Sequence, residues 1–317
     1  MSPPEPTSQP TEPDPQTRTG YVTLVGRPNA GKSTLMNHLL GQHLSIVTAK
    51  AQTTWQRVTG ILTSDEAQII FLDTPGLLQA RDLLQRAMLG AALEALHEAD
   101  VVLLVVDTSY RPTSPETEPL EAALAEARAP VHVALNKVDV AAEDAVRAWE
   151  DWAGEGVRGT PHRISALTGK GTRELMAAVT ADLPRGPFLY PEDDIATEPV
   201  RFFAAELVRE TVFEQYGQEI PYSVFCRVEE FREQQDPLYI QVNVYVERPS
   251  QKGILIGQGG RAIRALGESS RAKLEHFLER RVYLDLWVKP LKSWRKNRAR
   301  LGALGFRVPE DDETPHQ

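Results

Sequence analysis

A single cysteine, Cys226, stands among the 317 residues, so no disulfide can close within the chain and a secreted domain stapled by bridges is excluded. A reducing cytosol is the expected compartment. The first residues carry no apolar core behind a basic start, which gives no expectation of a secretory leader. Long hydrophobic runs are also missing. Stretches such as residues 101–106 are only strand-length, against the roughly 20 apolar residues that a membrane-spanning helix needs, and the chain is expected to be soluble or peripheral. Aromatic residues are few, at 7%, but hydrophobic residues make up 41% and charged ones 25%, a balance that supports two buried cores at this length.

The net charge of −9 argues against indiscriminate binding to nucleic acid, yet the charge is unevenly placed: residues 252–300 hold 13 Lys and Arg against 4 Asp and Glu, a local +9 that leaves −18 elsewhere. One end of the chain can attract a polyanion that the remainder repels.

Residues 1–19, rich in Pro, Thr, Ser and Gln, are predicted to be a disordered extension, because they have almost no apolar surface to offset ordering entropy. Apolar runs at 21–25, 69–72, 101–106 and 131–135 then alternate with helix-length segments, which predicts an α/β domain over residues 20–183 with a mostly parallel sheet. Prolines and acids over 184–198 read as a linker. Beyond it, 200–216 has a helical pattern, while 222–228 and 238–246 alternate as strands do. Helical stretches follow at 263–266, ended by Gly267, and at 269–280. A last strand at 282–288 puts Val282, Leu284, Leu286 and Val288 on one face. This α+β unit is expected to span 199–306, with an acidic tail over 307–317.

The first apolar run leads into Gly26, Arg27, Pro28, Asn29, Ala30, Gly31, Lys32 and Ser33, with Thr34 next, and so matches Gly-x-x-x-x-Gly-Lys-Ser/Thr in the order strand, loop, helix. Backbone N–H groups of such a loop cradle phosphates at a helix N-terminus, Lys32 adds charge at the β and γ phosphates, and Ser33 is a candidate Mg²⁺ ligand. Asp73, Thr74, Pro75 and Gly76 follow the next apolar run; Asp73 is placed to hold Mg²⁺ through water, and the Gly76 N–H can meet a γ-phosphate. Asn136, Lys137, Val138 and Asp139 end a further strand. A carboxylate there accepts from guanine N1–H and the 2-amino group, whereas adenine would leave it unpaired, so GTP or GDP is expected over ATP. Ser165, Ala166 and Leu167 are expected to close the base pocket through backbone contacts.

In the second unit, Gly257, Gln258, Gly259 and Gly260 form a Gly-x-x-Gly loop before a helix that opens with Arg261 and carries Arg264; Lys252 lies just upstream. In KH domains such a loop lets the nucleic-acid backbone come close while an adjacent groove takes about four nucleotides. The inferred helix, strand, strand, helix, helix, strand order and the local positive charge point to a KH domain of type II.

The four nucleotide motifs resemble those of the translation-factor-related GTPases. On that resemblance Thr54 is taken as the switch I ligand of Mg²⁺, with Thr53 as the alternate. Related GTPases that carry Asn at the position of Asn29 and lack a glutamine after the switch II glycine, where this chain has Leu77, hold K⁺ beside the phosphates. Catalytic roles are therefore assigned to Lys32, Ser33, Thr54, Gly76 and Asn29. Without that glutamine, intrinsic turnover is expected to be slow.

Over about residues 20–306 the chain resembles the Era-type GTPases, most specifically at 202–210, 219–224 and 282–289, with 294–297 extending the match. The resemblance implies binding to the 3′ region of small-subunit ribosomal RNA and a role in maturation of the small ribosomal subunit, with a monomer as the default. Trp55 departs from the family, which often has a basic residue there. Two rival readings remain: a passive RNA-binding adaptor that barely hydrolyses GTP, and a GTPase peripheral to the inner face of the cell membrane that sets basic residues 289–300 against anionic lipid.

Overall fold

The structure, a computed structural model, describes residues 17–48, 50–77, 80–125 and 127–309. Residues 1–16 of the extension and the acids at 310–313 of the tail lie outside these residues, whereas Arg18 and Thr19, expected to be disordered, open the first strand and pair with Ala67 and Gln68.

The first domain is a six-stranded sheet flanked by helices. Its elements are β1 (Arg18–Val25), α1 (Lys32–Leu40), β2 (Val58–Thr63), β3 (Ala67–Asp73), α2 (Leu83–Glu98), β4 (Val101–Asp107), α3 (Ser114–Leu124), β5 (Val131–Asn136), α4 (Glu143–Glu155), β6 (Thr160–Arg163) and α5 (Thr172–Asp182). The strand order is β2-β3-β1-β4-β5-β6, and only β2 runs antiparallel. β3 and β4 are buried at every position, which explains their continuous apolar runs: helices cover both faces of a parallel sheet, so neither face needs polar residues. The loops at the carboxyl ends of β1, β3 and β5 converge where the strand order reverses, the usual place for a ligand in an open sheet of this kind.

The linker over 184–198 contains no helix or strand, but it is bound to the sheet. Ile61 N donates to Ile195 O at 2.9 Å, Gln68 Nε2 donates to Tyr190 O at 2.8 Å, and Thr59 N donates to Glu198 Oε1 at 3.0 Å. Backbone N–H groups of the edge strand β2 and the buried Gln68 side chain of β3 are thereby satisfied.

The second domain runs α6 (Val200–Gln215), a single turn α7 (Ile220–Ser223), β7 (Phe225–Arg232), β8 (Leu238–Val246), α8 (Pro249–Ile256), α9 (Arg261–Leu278), β9 (Val282–Pro290) and a short α10 (Arg298–Ala303). Strands pair as β7-β8-β9, antiparallel then parallel. Two sequence expectations need correction. Gly267 does not end a helix: α9 continues through it, because a mid-helix glycine costs only about 1 kcal/mol and the buried Leu266, Ser270 and Leu274 hold one face against the sheet. The strand expected from residue 222 begins at Phe225, since Pro221 favours the first turn of α7 instead.

The two domains share an apolar cluster. Trp55, Leu84, Ala87 and Met88 from the first pack with Phe213, Phe225, Trp294, Leu301 and Phe306 from the second.

Candidate nucleotide and RNA sites

Between β1 and α1 the chain makes a loop that only glycine permits at two points. A Cβ on Gly26 would lie 2.2 Å from Val105 O, and one on Gly31 would lie 2.2 Å from Asn136 Nδ2. Both residues have positive φ, 146° and 100°, which L side chains rarely adopt. Lys32 is buried, and its Nζ reaches back to the carbonyls of Gly26 and Arg27, each at 3.2 Å. Burial pulls its pKa down to about 8, opposed by the nearby Asp73 carboxylate.

Asp73, at the end of β3, is fully buried. Its Oδ2 accepts from Ser33 Oγ at 2.7 Å and from Thr54 Oγ1 at 3.5 Å, and the two hydroxyls are 3.1 Å apart. Burial pushes the carboxyl up while Lys32 and Ser33 pull it down. Its Oδ1 is buried with no partner. Three oxygens converging beside an orphaned carboxylate oxygen form a donor set suited to a hard divalent cation. The neighbouring Thr53 turns away, donating from Oγ1 to Ile46 O at 3.3 Å.

Gly76 lies on the phosphate loop: a Cβ there would be 2.7 Å from Pro28 N. The next residue, Leu77, donates its N–H to Gly26 O at 3.0 Å, and its side chain is buried with Val25, Ala92 and Leu96. Residues 78 and 79 lie outside the described residues.

Asn136, at the end of β5, ties two loops together. Its Nδ2 donates to Ala30 O at 2.8 Å and its Oδ1 accepts from Ala166 N at 2.8 Å. Lys137 pairs with Asp107. Asp139 is exposed at the rim, Ser165 and Ala166 are buried, and Leu167 is 78% exposed. These loops enclose a cavity of about 510 Å³ lined by Pro28, Asn29, Gly31, Lys32, Ser33, Thr34, Thr53, Thr54, Gly76, Asn136, Lys137, Asp139 and the 165–167 loop, within the range of small-molecule sites.

Of the other predicted residues, Gly26, Ala30 and Pro75 are not on its wall and Asp73 lies beneath it. The Arg27 guanidinium donates to Pro115 O at 3.0 Å, and the Thr74 hydroxyl to Leu24 O at 2.7 Å. Ile46, Val47, Thr48, Gln52 and Val140 also line the cavity, and sequence reasoning missed them because an irregular loop has no periodicity to read.

The Gly-x-x-Gly loop joins α8 to α9. Gly259 and Gly260 have φ of 61° and 76°, and a Cβ on either would meet nothing within 4 Å. Arg261 folds back, donating from Nη2 to Gln258 Oε1 at 2.9 Å. A groove of about 460 Å³ follows, lined by Gly260, Ile263, Arg264, Gly267, Arg271 and Leu286 among others, along β9, the edge strand. Lys252 is half-buried on α8 and is not part of the groove wall. Gly260, Arg264, Gly267 and Arg271 repeat at helical spacing; dividing α9 at Gly267 hid that stripe.

The fold and the two sites define a P-loop GTPase joined to a KH domain. A model of the 50S ribosome-binding GTPase family matches residues 21–137 and a KH domain model matches 219–295. GTPase Era of Nitratidesulfovibrio vulgaris is 40% identical over 302 residues, covering 91% of this chain and 97% of that protein. GTPase Era of Geobacter metallireducens is 40% identical over 299 residues, covering 91% and 98%. A point variant of Aquifex aeolicus Era bound to GDP·AlF4⁻ superposes with a TM-score of 0.87 at 36% identity, covering 92% of this chain and 100% of that one; a complex of Era with MgGDPNP and nucleotides 1506–1542 of 16S ribosomal RNA gives the same values. The chain belongs to the Era family of GTPases.

Proposed function

We propose that the chain hydrolyses GTP as a switch whose KH domain holds the 3′ region of small-subunit ribosomal RNA during maturation of the small ribosomal subunit. The observation that carries this is the pairing, in one chain, of the Ser33, Thr54 and Asp73 oxygens at a phosphate loop with an open glycine loop beside a groove that carries Arg264 and Arg271 against the single acid Glu268. The similar Era structure with bound 16S ribosomal RNA supports it.

Ser33 and Thr54 would hold magnesium directly and Asp73 through water. Bound magnesium supplies charge that offsets the triphosphate's own between the β and γ phosphates. Around it, Lys32 covers the same phosphates, Gly76 offers its N–H to the γ-phosphate, and Asp139 reads guanine. Leu77 is turned into the core, so no side chain at that position orients water. Asn29, at φ 65° on the cavity lip, would hold K⁺ there. GTP turnover should then be faster in potassium than in sodium at equal ionic strength, and Asn29→Ala should erase the difference; equal rates in wild type would rule the ion out.

The membrane reading is disfavoured. Trp294 is fully buried and Arg295 pairs with Asp82 at 2.7 Å, so the segment over 289–300 is partly consumed by the domain interface. No helix of the described residues is long and apolar enough to cross a membrane.

The test replaces Gln258 and Gly259 together with Asp, setting two charges against phosphate. Filter binding to the 3′ end of small-subunit ribosomal RNA should weaken by roughly one to two decades while GTP binding persists. Unchanged RNA binding would sink the KH assignment, and a liposome sedimentation arm would expose the lipid alternative.

A further inference from the structure

The described residues between α1 and β2 include no helix or strand; Asn37 of α1 ties down residues 44 and 45, and further anchors come from α6, in the other domain. Glu210 Oε1 accepts from His43 Nε2 at 2.9 Å and from Val47 N at 3.1 Å. The Lys50 ammonium donates to the carbonyls of Phe213 and Tyr216 at the end of α6, where a cation also meets the negative end of the helix dipole. Arg209 Nη2 donates to Thr53 O at 2.5 Å. Residues 209, 210, 213 and 216 form one stripe over two helical turns, so switch I lies along α6 as along a template.

Arg209 is the most deeply buried of these charged side chains; its Nε and Nη2 are bonded, while Nη1 is buried without a partner. The residue is 1% exposed, its guanidinium stacked over the Trp55 ring at 4.6 Å and the Phe213 ring at 5.5 Å. Glu206 neutralises it through a two-point pair at 2.8 and 2.6 Å. A buried cation is costly unless it is paired and stacked in this way, and its planar fork cannot then swing. The carbonyl it holds belongs to the peptide plane that leads into Thr54, whose hydroxyl stands beside Ser33 and Asp73. Trp55 is the ring on which that guanidinium rests.

We propose that Arg209 is a positioning residue for GTP hydrolysis: from the first helix of the C-terminal domain it fixes the Thr53 carbonyl, and through it the Thr54 hydroxyl at the magnesium site. The proposal rests on the reading of Thr54 as a magnesium ligand. The nucleotide site is therefore completed by the RNA-binding half of the chain.

Arg209→Lys in the full chain keeps the charge but loses the fork. The magnesium concentration for half-maximal single turnover should rise about tenfold, with a similar fall in rate at fixed magnesium, while GDP affinity stays within about twofold. Hydrogen exchange, read on the GDP-bound protein without turnover, should quicken at residues 50–56 and stay slow in the sheet and in α9. If Arg209→Lys does not fold, Glu206→Gln loosens the same guanidinium and is read in the same way.

Unchanged magnesium dependence and exchange in a folded variant overturns the proposal. So does a uniform loss of GDP affinity, RNA affinity and protection, which marks a merely structural arginine. Thr54→Ala separates the two layers: if it leaves magnesium dependence untouched, the ligand reading fails, whereas an effect there without one at Arg209 sinks only the positioning role.

Discussion

The phosphate loop and the KH loop each place glycines at a helix N-terminus, and they use glycine for opposite reasons. In the phosphate loop there is no room: Val105 O and Asn136 Nδ2 stand 2.2 Å from where side chains on Gly26 and Gly31 would begin. In the KH loop there is open space around Gly259 and Gly260, and what requires glycine is the left-handed backbone, with its bare surface left for a partner. One is a glycine loop enclosed by its own protein, the other a glycine loop left for something else to enclose. A match to a motif reports neither condition; the surroundings do.

Gly31→Ala should show the larger consequence of enclosure. The methyl group would displace Asn136, whose amide ties Ala30 to Ala166, and the φ of 100° would be strained. Together these cost about 2–4 kcal/mol, two decades or so of nucleotide affinity, with a lower melting temperature. Calorimetry with GDP checks it; near wild-type affinity would mean that the loop is looser than its contacts indicate.

Asp139 lies between the extremes, in the enclosed site but on its exposed rim. Asp139→Asn should cost roughly 1.5–3 kcal/mol of GTP binding, one to two decades, and favour xanthine nucleotide, whose C2 oxygen replaces the guanine amino donor. Competition between the two nucleotides reads it directly, and unchanged GTP affinity would falsify the base-reading role.

The KH loop itself divides in the same way. Gly257 is the enclosed kind, since its Cβ would come 2.7 Å from Ala262 Cβ and its φ and ψ of 68° and 171° are nearly exclusive to glycine. Gly259→Ala meets only the left-handed penalty of about 1–2 kcal/mol. Gly257→Ala should therefore lower the melting temperature more than Gly259→Ala, while Gly259→Ala should weaken RNA binding with the fold kept. Equal melting shifts would erase the distinction.

The enclosed loop was legible in the sequence because its partners are themselves motif residues: Asn136 and Asp73 sit at strand ends that apolar runs announce. The open loop was legible only through element order and charge. β2 was not foreseen, as Gly60 interrupts a short and mixed run, and it pairs only along the sheet edge. The α6 template for switch I was hidden entirely. Arg209 reads as one more helix arginine, and its burial depends on Phe213 one turn further along α6 and on Trp55, which reaches it from the other domain.

The two domains also differ in how they should answer to acid, the smallest effect expected. At the end of the sheet away from the nucleotide, the buried His132 sits between His162 and Asp182, with Nδ1 to His162 Nε2 at 2.9 Å and Nε2 to Asp182 Oδ2 at 3.0 Å. If the carboxylate accepts from His132 Nε2–H, then His132 Nδ1 accepts from His162 Nε2–H, and both rings are neutral in that chain of bonds. Burial, and then the neighbouring His132, hold the His162 pKa below the ordinary histidine value. The folded state thus binds fewer protons than the unfolded one once pH drops under about 6.5, so stability falls with acid from there down to the lowered folded-state value. Residues of this cluster come only from the GTPase domain. Between pH 7 and 5.5 the protection of its β5 and β6 amides should drop, equivalent to roughly a few degrees of melting, while the KH sheet keeps its protection. His162→Gln should flatten the response, because an amide can still donate to His132 but takes up no proton. A pH response that survives His162→Gln would move its origin elsewhere in the domain.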